Sequence, residues 1–132
     1  MKIAIFFSLI LCAFNLFAFN DVEIQIKSAN ISQIFKIKNE KKKSFLSFSE
    51  ESRKKIKTIN LSSSLAEDLI SEAHRITWKA AYRKPASQMN CNVYATFIID
   101  KSKSENICFE NKLATGHAYG FLNKLNKMLQ NP

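Results

Sequence analysis

Apolar residues recur at every second position in the first half of this chain and at every third or fourth position in the second. Val22, Ile24 and Ile26 alternate with polar neighbours, and the alternation resumes at Ile31, Phe35 and Ile37 after Ser28-Ala29-Asn30. Ser44 to Phe48 and Ile56 to Leu61 add two short apolar segments. A two-residue period places alternate side chains on one face of a strand, so this half predicts an antiparallel meander of three or four strands. Beyond it the spacing lengthens. Ser64-Leu65-Ala66-Glu67 reads as a capping box, and Leu65, Leu69, Ala73, Ile76 and Ala80 line one face of a helix. Asp68, Glu72, Arg75 and Lys79 line another face, acids before bases, the favourable order for helical pairs. Pro85 pushes its predecessor out of helical geometry, which predicts an end near Arg83.

Asn92 to Ile99 is rich in β-branched and aromatic residues and reads as a buried strand. Asp100 to Asn106 is polar enough to turn, and Ile107 to Phe109 start a partner strand. A closing helix from about His117 to Gln130 puts Ala118, Phe121, Leu122, Leu125 and Met128 on one face, with Lys124 and Lys127 outside. The class is therefore α+β: a small antiparallel meander, a helix, a β-hairpin and a C-terminal helix. With 46% hydrophobic and 23% charged residues, the chain has the material for a core, and its 132 residues suit one domain. The order helix, Pro85-Ala86, then Val93 to Asp100 is faintly similar to the C-terminal domains of TonB- and TolA-type envelope proteins. It covers under half the chain and lacks the expected glycines before the strand and in the turn, so no residue is carried over from it.

Two glycines, Gly116 and Gly120, serve the whole chain. A dinucleotide fingerprint needs three in one loop and a phosphate loop needs a G-x-x-x-x-G-K frame, so both motifs are excluded. The N-terminus carries a different signal. Lys2 precedes an apolar run from Ile3 to Leu11 that continues with little interruption to Phe17, and Ala18 is a small residue at a plausible cleavage point. Residues 1–18 read as a signal peptide and 19–132 as the domain, with a periplasmic or secreted location. An uncleaved N-terminal anchor is the alternative. Removing 1–18 leaves 114 residues, and loss of Lys2 lowers the net charge from +9 to +8.

Export also reads the cysteines. Cys12 leaves with the signal, and Cys91 and Cys108 remain as one candidate disulfide. Geometry opposes it if 92–112 form a simple hairpin turning near Lys103. Cys108 then faces about Phe97, with Cys91 roughly 20 Å away, whereas a bridge needs α-carbons within roughly 7 Å. The pair bridges only if Cys91 sits in a loop that folds back. The other reading is two reduced, buried thiols.

The positive charge is concentrated. Between residues 36 and 57 stand nine bases, Lys36, Lys38, Lys41, Lys42, Lys43, Arg53, Lys54, Lys55 and Lys57, against three acids, a net +6 in 22 residues. Phe35, Phe45 and Phe48 are interleaved. One reading is an electrostatic footprint for an anionic partner. The plainer one is two solvated turns whose lysines keep edge strands from pairing with other chains. Export argues against nucleic acid and towards an anionic envelope component, namely lipid, lipopolysaccharide or acidic polysaccharide.

Catalytic sets do not assemble. His74 lies one helical turn from Ile70 and from Trp78, with Glu67 two turns back, but no H-E-x-x-H or comparable metal-ligand spacing accompanies it. His117 stands between Gly116 and Tyr119-Gly120 at a helix start, beside glycines that allow close backbone approach. The serines lack a G-x-S-x-G elbow. The expectation is a non-enzymatic, exported binding protein without cofactor or metal, using the basic region 36–57. One alternative is a small extracytoplasmic hydrolase using His117, with His74. Another is an inhibitor or immunity-type protein docking to a protein partner beside Trp78 and Tyr82.

Overall fold

The computed structural model describes residues 20–80, 92–103, 107–108 and 116–131, with the backbone alone at 78–80, 108, 116 and 117. The segment 1–18, Tyr82, Pro85, Cys91 and Phe109 lie outside the described residues, as do the side chains of Trp78, Cys108 and His117. The first half is a four-stranded meander: β1 (Asp21–Lys27), β2 (Ser32–Asn39), β3 (Ser44–Glu50) and β4 (Lys55–Leu61), each antiparallel to the next. Helix α1 (Ser63–Ala80) follows, then β5 (Tyr94–Ile99), β6 (Ser102–Lys103), β7 (Ile107–Cys108) and α2 (Gly116–Gln130).

The second half does not form a separate hairpin. β5 pairs antiparallel with β1, joining Val22 to Ile99, Ile24 to Phe97 and Ile26 to Ala95. One sheet of order β4-β3-β2-β1-β5-β6 results, with β7 also on β5, and β1 becomes an interior strand. The α+β class and the four-strand meander are as the apolar periods predict.

Register explains which side is covered. Val22, Ile24, Ile26, Phe35, Ile37, Leu46, Ala95, Phe97 and Ile99 share one face and are all buried. Both helices lie on it. Leu69, Ile70, Ala73 and Ile76 come from α1, and Ala118, Phe121, Leu122, Leu125 and Leu129 from α2. Leu65 and Met128 pack at the margin of this cluster. A slip of one residue in any strand would turn its apolar set to the other face, so the pattern and the pairing enforce each other.

Two local expectations need correction. Helix α1 begins at Ser63, and its N-cap is Ser62, whose Oγ accepts the Leu65 N–H at 3.2 Å. The reason is the strand before it: Leu61 is still paired with Ser44, so Ser62 is the first residue free to cap. The Ser64–Glu67 capping box therefore lies inside the helix. The turn after β5 is also shorter than residues 100–106. Ile99 pairs with Ser102, so Asp100 and Lys101 alone make it, at φ 45° and 71°. Two successive positive φ values match the right-handed twist of a tight hairpin, which a longer polar stretch does not need.

The cysteine register changes with this turn. Tyr94, not Phe97, stands opposite Cys108, so Cys91 is three residues along the chain from the position facing Cys108. The physical reason is the early turn together with a one-residue change of register between the Ile98–Lys103 and Ala95–Ile107 pairs.

Candidate functional site

Of the nine bases in the run, three sit where β2 turns into β3. Glu40 and Lys43 exchange both backbone hydrogen bonds, at 3.1 and 3.2 Å, which leaves Lys41 and Lys42 as a two-residue loop. Lys41, Lys42 and Lys43 are all exposed. The start of α1 stands beside this loop, because β4 runs back along β3 and delivers Ser62 and Ser63 to the same end of the sheet. Asn39 ties the two together: its Oδ1 accepts the Ser44 hydroxyl at 2.6 Å and the Ser63 hydroxyl at 3.2 Å. Ser44 is buried and carries this bond into the sheet.

Between loop and helix lies an open cleft of about 400 Å³ lined by Glu40, Lys41, Lys42, Lys43, Ser44, Asn60, Leu61 and Ser63. Three ammonium groups against one carboxylate give its wall a net charge of +2. None of the three lysines makes an ion pair among the described residues. The first N–H groups of a helix lack intrahelical partners and carry partial positive charge. Backbone amides and ammonium groups therefore converge here, donors suited to a phosphate, sulfate or carboxylate, while the Ser44 and Ser63 hydroxyls are already spent on Asn39.

The other six bases do not join them. Lys36 and Lys38 lie on the helix-free face of β2, opposite Glu23 and Asp21 in register, and Lys36 Nζ is 3.9 Å from Glu23 Oε2. Arg53, Lys54 and Lys55 belong to the far end of β3, about 20 Å away for a seven-residue strand. There Arg53 Nε is 3.7 Å from Glu50 Oε1, and Lys55 stands opposite Glu50 in register. Lys57 faces the helix side of β4, opposite Phe48. The run is thus one basic turn, two cross-strand charge pairs and a separate basic end.

His74 is half-buried in α1, and its carbonyl accepts the Thr77 hydroxyl at 2.8 Å. His117 occupies the first turn of α2. Among the described residues, no group of three or more His, Cys, Asp or Glu side chains gathers as a metal site. Phe35 is buried and Phe48 packs partly buried against the core, their rings tilted by 54° with centroids 5.0 Å apart, so these aromatics are engaged with each other. Phe45 is half-buried on the opposite face.

Sequence reasoning missed Asn39 and Ser63, the two residues that bind the basic turn to the helix. Asn39 is a turn former at a strand end, which is a local signal, but its partner lies 24 residues on and only the pairing of β3 with β4 brings it near. Comparison with protein-family models, with curated proteins and with solved structures returns no match.

Proposed function

We propose that the chain is an exported, non-enzymatic domain that binds an anionic component of the cell envelope through Lys41, Lys42 and Lys43. The observation that carries this reading is their convergence, without ion pairs among the described residues, on a cleft whose other wall is the amino end of α1. Paired backbone hydrogen bonds between Glu40 and Lys43 hold the loop that carries them, and three lysines supply the attraction. The chemistry suits the head group of an anionic lipid, the phosphates of lipopolysaccharide or an acidic polysaccharide. The N-terminal apolar run supports export, and cleavage after Ala18 leaves the domain in the periplasm or outside the cell.

Binding to anionic phospholipid vesicles, lipopolysaccharide and polygalacturonate tests the reading. At least one should bind, more weakly as salt rises, because exposed charges are screened within about 10 Å at 0.1 M salt. Replacing Lys41, Lys42 and Lys43 with Gln removes about 1 kcal/mol per lysine at an anionic surface, hence about a hundredfold in affinity. The loop is exposed, so the circular dichroism spectrum should not change. Failure to bind all three probes, or salt-independent binding unaffected by the triple variant, would refute it.

A further inference from the structure

β4 is an edge strand, and its edge is guarded in an unusual way. Among the described residues it pairs with β3 alone, along seven consecutive positions from Glu50–Lys55 to Ser44–Leu61. Half of its backbone N–H and C=O groups therefore point away from the sheet. Edges are ordinarily blunted by shortness, by proline, by a bulge or by charge. β4 has neither proline nor glycine, and its register with β3 is unbroken. Among the described residues, charge is the guard that this edge shows. Lys55 and Lys57 lie on its helix side, Arg53 and Lys54 on the turn that leads into it, and Ile56 projects from the opposite face at 78% exposure.

A guard made of charge discriminates; it does not close the edge. A second copy of β4 pairing antiparallel over its full length would set Lys55 opposite Leu61 and Lys57 opposite Ile59, which leaves all of these lysines without an acid. A strand carrying carboxylates opposite Lys55 and Lys57 meets the reverse condition, since opposite charges across a pair attract. An apolar residue on its other face would cover Ile56, which charge-guarding leaves unexplained. We propose that β4 accepts an extended acidic segment of a partner protein as an additional strand, with acids facing Lys55 and Lys57 and apolar residues facing Ile56. Backbone pairing supplies affinity and the lysines supply selection, the usual division of labour when a peptide is added to a sheet edge. The inference does not rest on the cleft at Lys41–Lys43, which lies at the other end of β3.

Three seven-residue fluorescent peptides test it: alternating glutamate and valine, alternating lysine and valine, and the glutamate peptide N-methylated along one edge. Only the unmethylated glutamate peptide should bind the purified protein. N-methylation keeps every charge but removes the donors, and affinity should fall at least about tenfold. The double variant Lys55→Glu/Lys57→Glu should lose the glutamate peptide and gain the lysine peptide, a swap that misfolding cannot mimic. No binding of the glutamate peptide, or equal binding of its methylated form, would overturn the proposal. So would a protein that sediments as a dimer and becomes monomeric in the double variant, because the edge would then belong to a second copy.

Discussion

Lys101 holds φ at 71° and Asp100 at 45°, side by side in the turn between β5 and β6. Left-handed backbone brings Cβ against the following carbonyl, a cost of roughly 1–2 kcal/mol that glycine avoids and that Asp or Asn reduces by local hydrogen bonding. Asp100 is instead held by bonds across the sheet. Its Oδ1 accepts the N–H groups of Asn20 at 3.2 Å and Asp21 at 3.1 Å, and its own N–H bonds to the Asp21 carbonyl at 3.0 Å. Among the described residues, no hydrogen bond or ion pair of the Lys101 side chain offsets its strain. Lys101→Gly should therefore stabilise the fold by about 0.5–1 kcal/mol, the relieved strain less the added chain entropy of glycine. That corresponds to about 0.5 M in the urea midpoint with an unchanged slope. Asp100→Ala should cost about 1–2 kcal/mol, for two exposed hydrogen bonds and the lost tolerance of positive φ. Asp100→Asn keeps an oxygen acceptor and that tolerance, and should fall near wild type. Urea denaturation followed by circular dichroism measures all three. Equal losses in Asp100→Ala and Asp100→Asn, or a Lys101→Gly protein less stable than wild type, would refute the account of this turn.

Three further outcomes follow from packing. Gly120 is exposed in the middle of α2, and a Cβ built there meets nothing within 4 Å, so Gly120→Ala should raise stability by about 1 kcal/mol through helix propensity alone. Ser62→Ala removes the acceptor for the Leu65 N–H and should cost about 1 kcal/mol in the same assay, whereas Ser64→Ala should be nearly neutral. Phe97 is fully buried, with its ring 6.4 Å from that of Phe121, and Phe97→Ala should cost about 3–5 kcal/mol, seen as a large fall in the melting temperature.

What was legible in the sequence was what depends on local period. The alternation at Val22, Ile24 and Ile26 marks β1 and its buried face, and the spacing from Leu69 to Ile76 marks the buried face of α1. The place of β5 was not legible. Tyr94 to Ile99 pairs with β1, some 70 residues earlier, and a buried strand announces its burial but not its neighbour. Ser62 and Ser64 differ as caps only through the length of β4, again a matter of pairing. The tight turn at Asp100-Lys101 was hidden because the second of its two left-handed residues is a lysine, where glycine would have signalled it. The basic run was located, but its arrangement was not.

A meander folds a linear run of charge back on itself, and this decides what the nine bases between residues 36 and 57 can do. A hairpin sends residues a strand-length apart to opposite ends of the sheet, and successive residues within a strand to opposite faces. Lys41 to Lys43 and Arg53 to Lys55 are therefore two sites, farther apart than the distance over which exposed charges act in physiological salt. Lys36 and Lys38 are offset by the acids that β1 sets opposite them, Glu23 and Asp21. The net +6 of the run thus overstates the field at any one point on the surface. What matters for recognition is the local company. At one end three lysines meet a helix start around a cleft; at the other, bases flank the edge of β4 that no strand pairs among the described residues. Reversing charge at one place should leave any anion affinity of the other unchanged, since groups this far apart act additively.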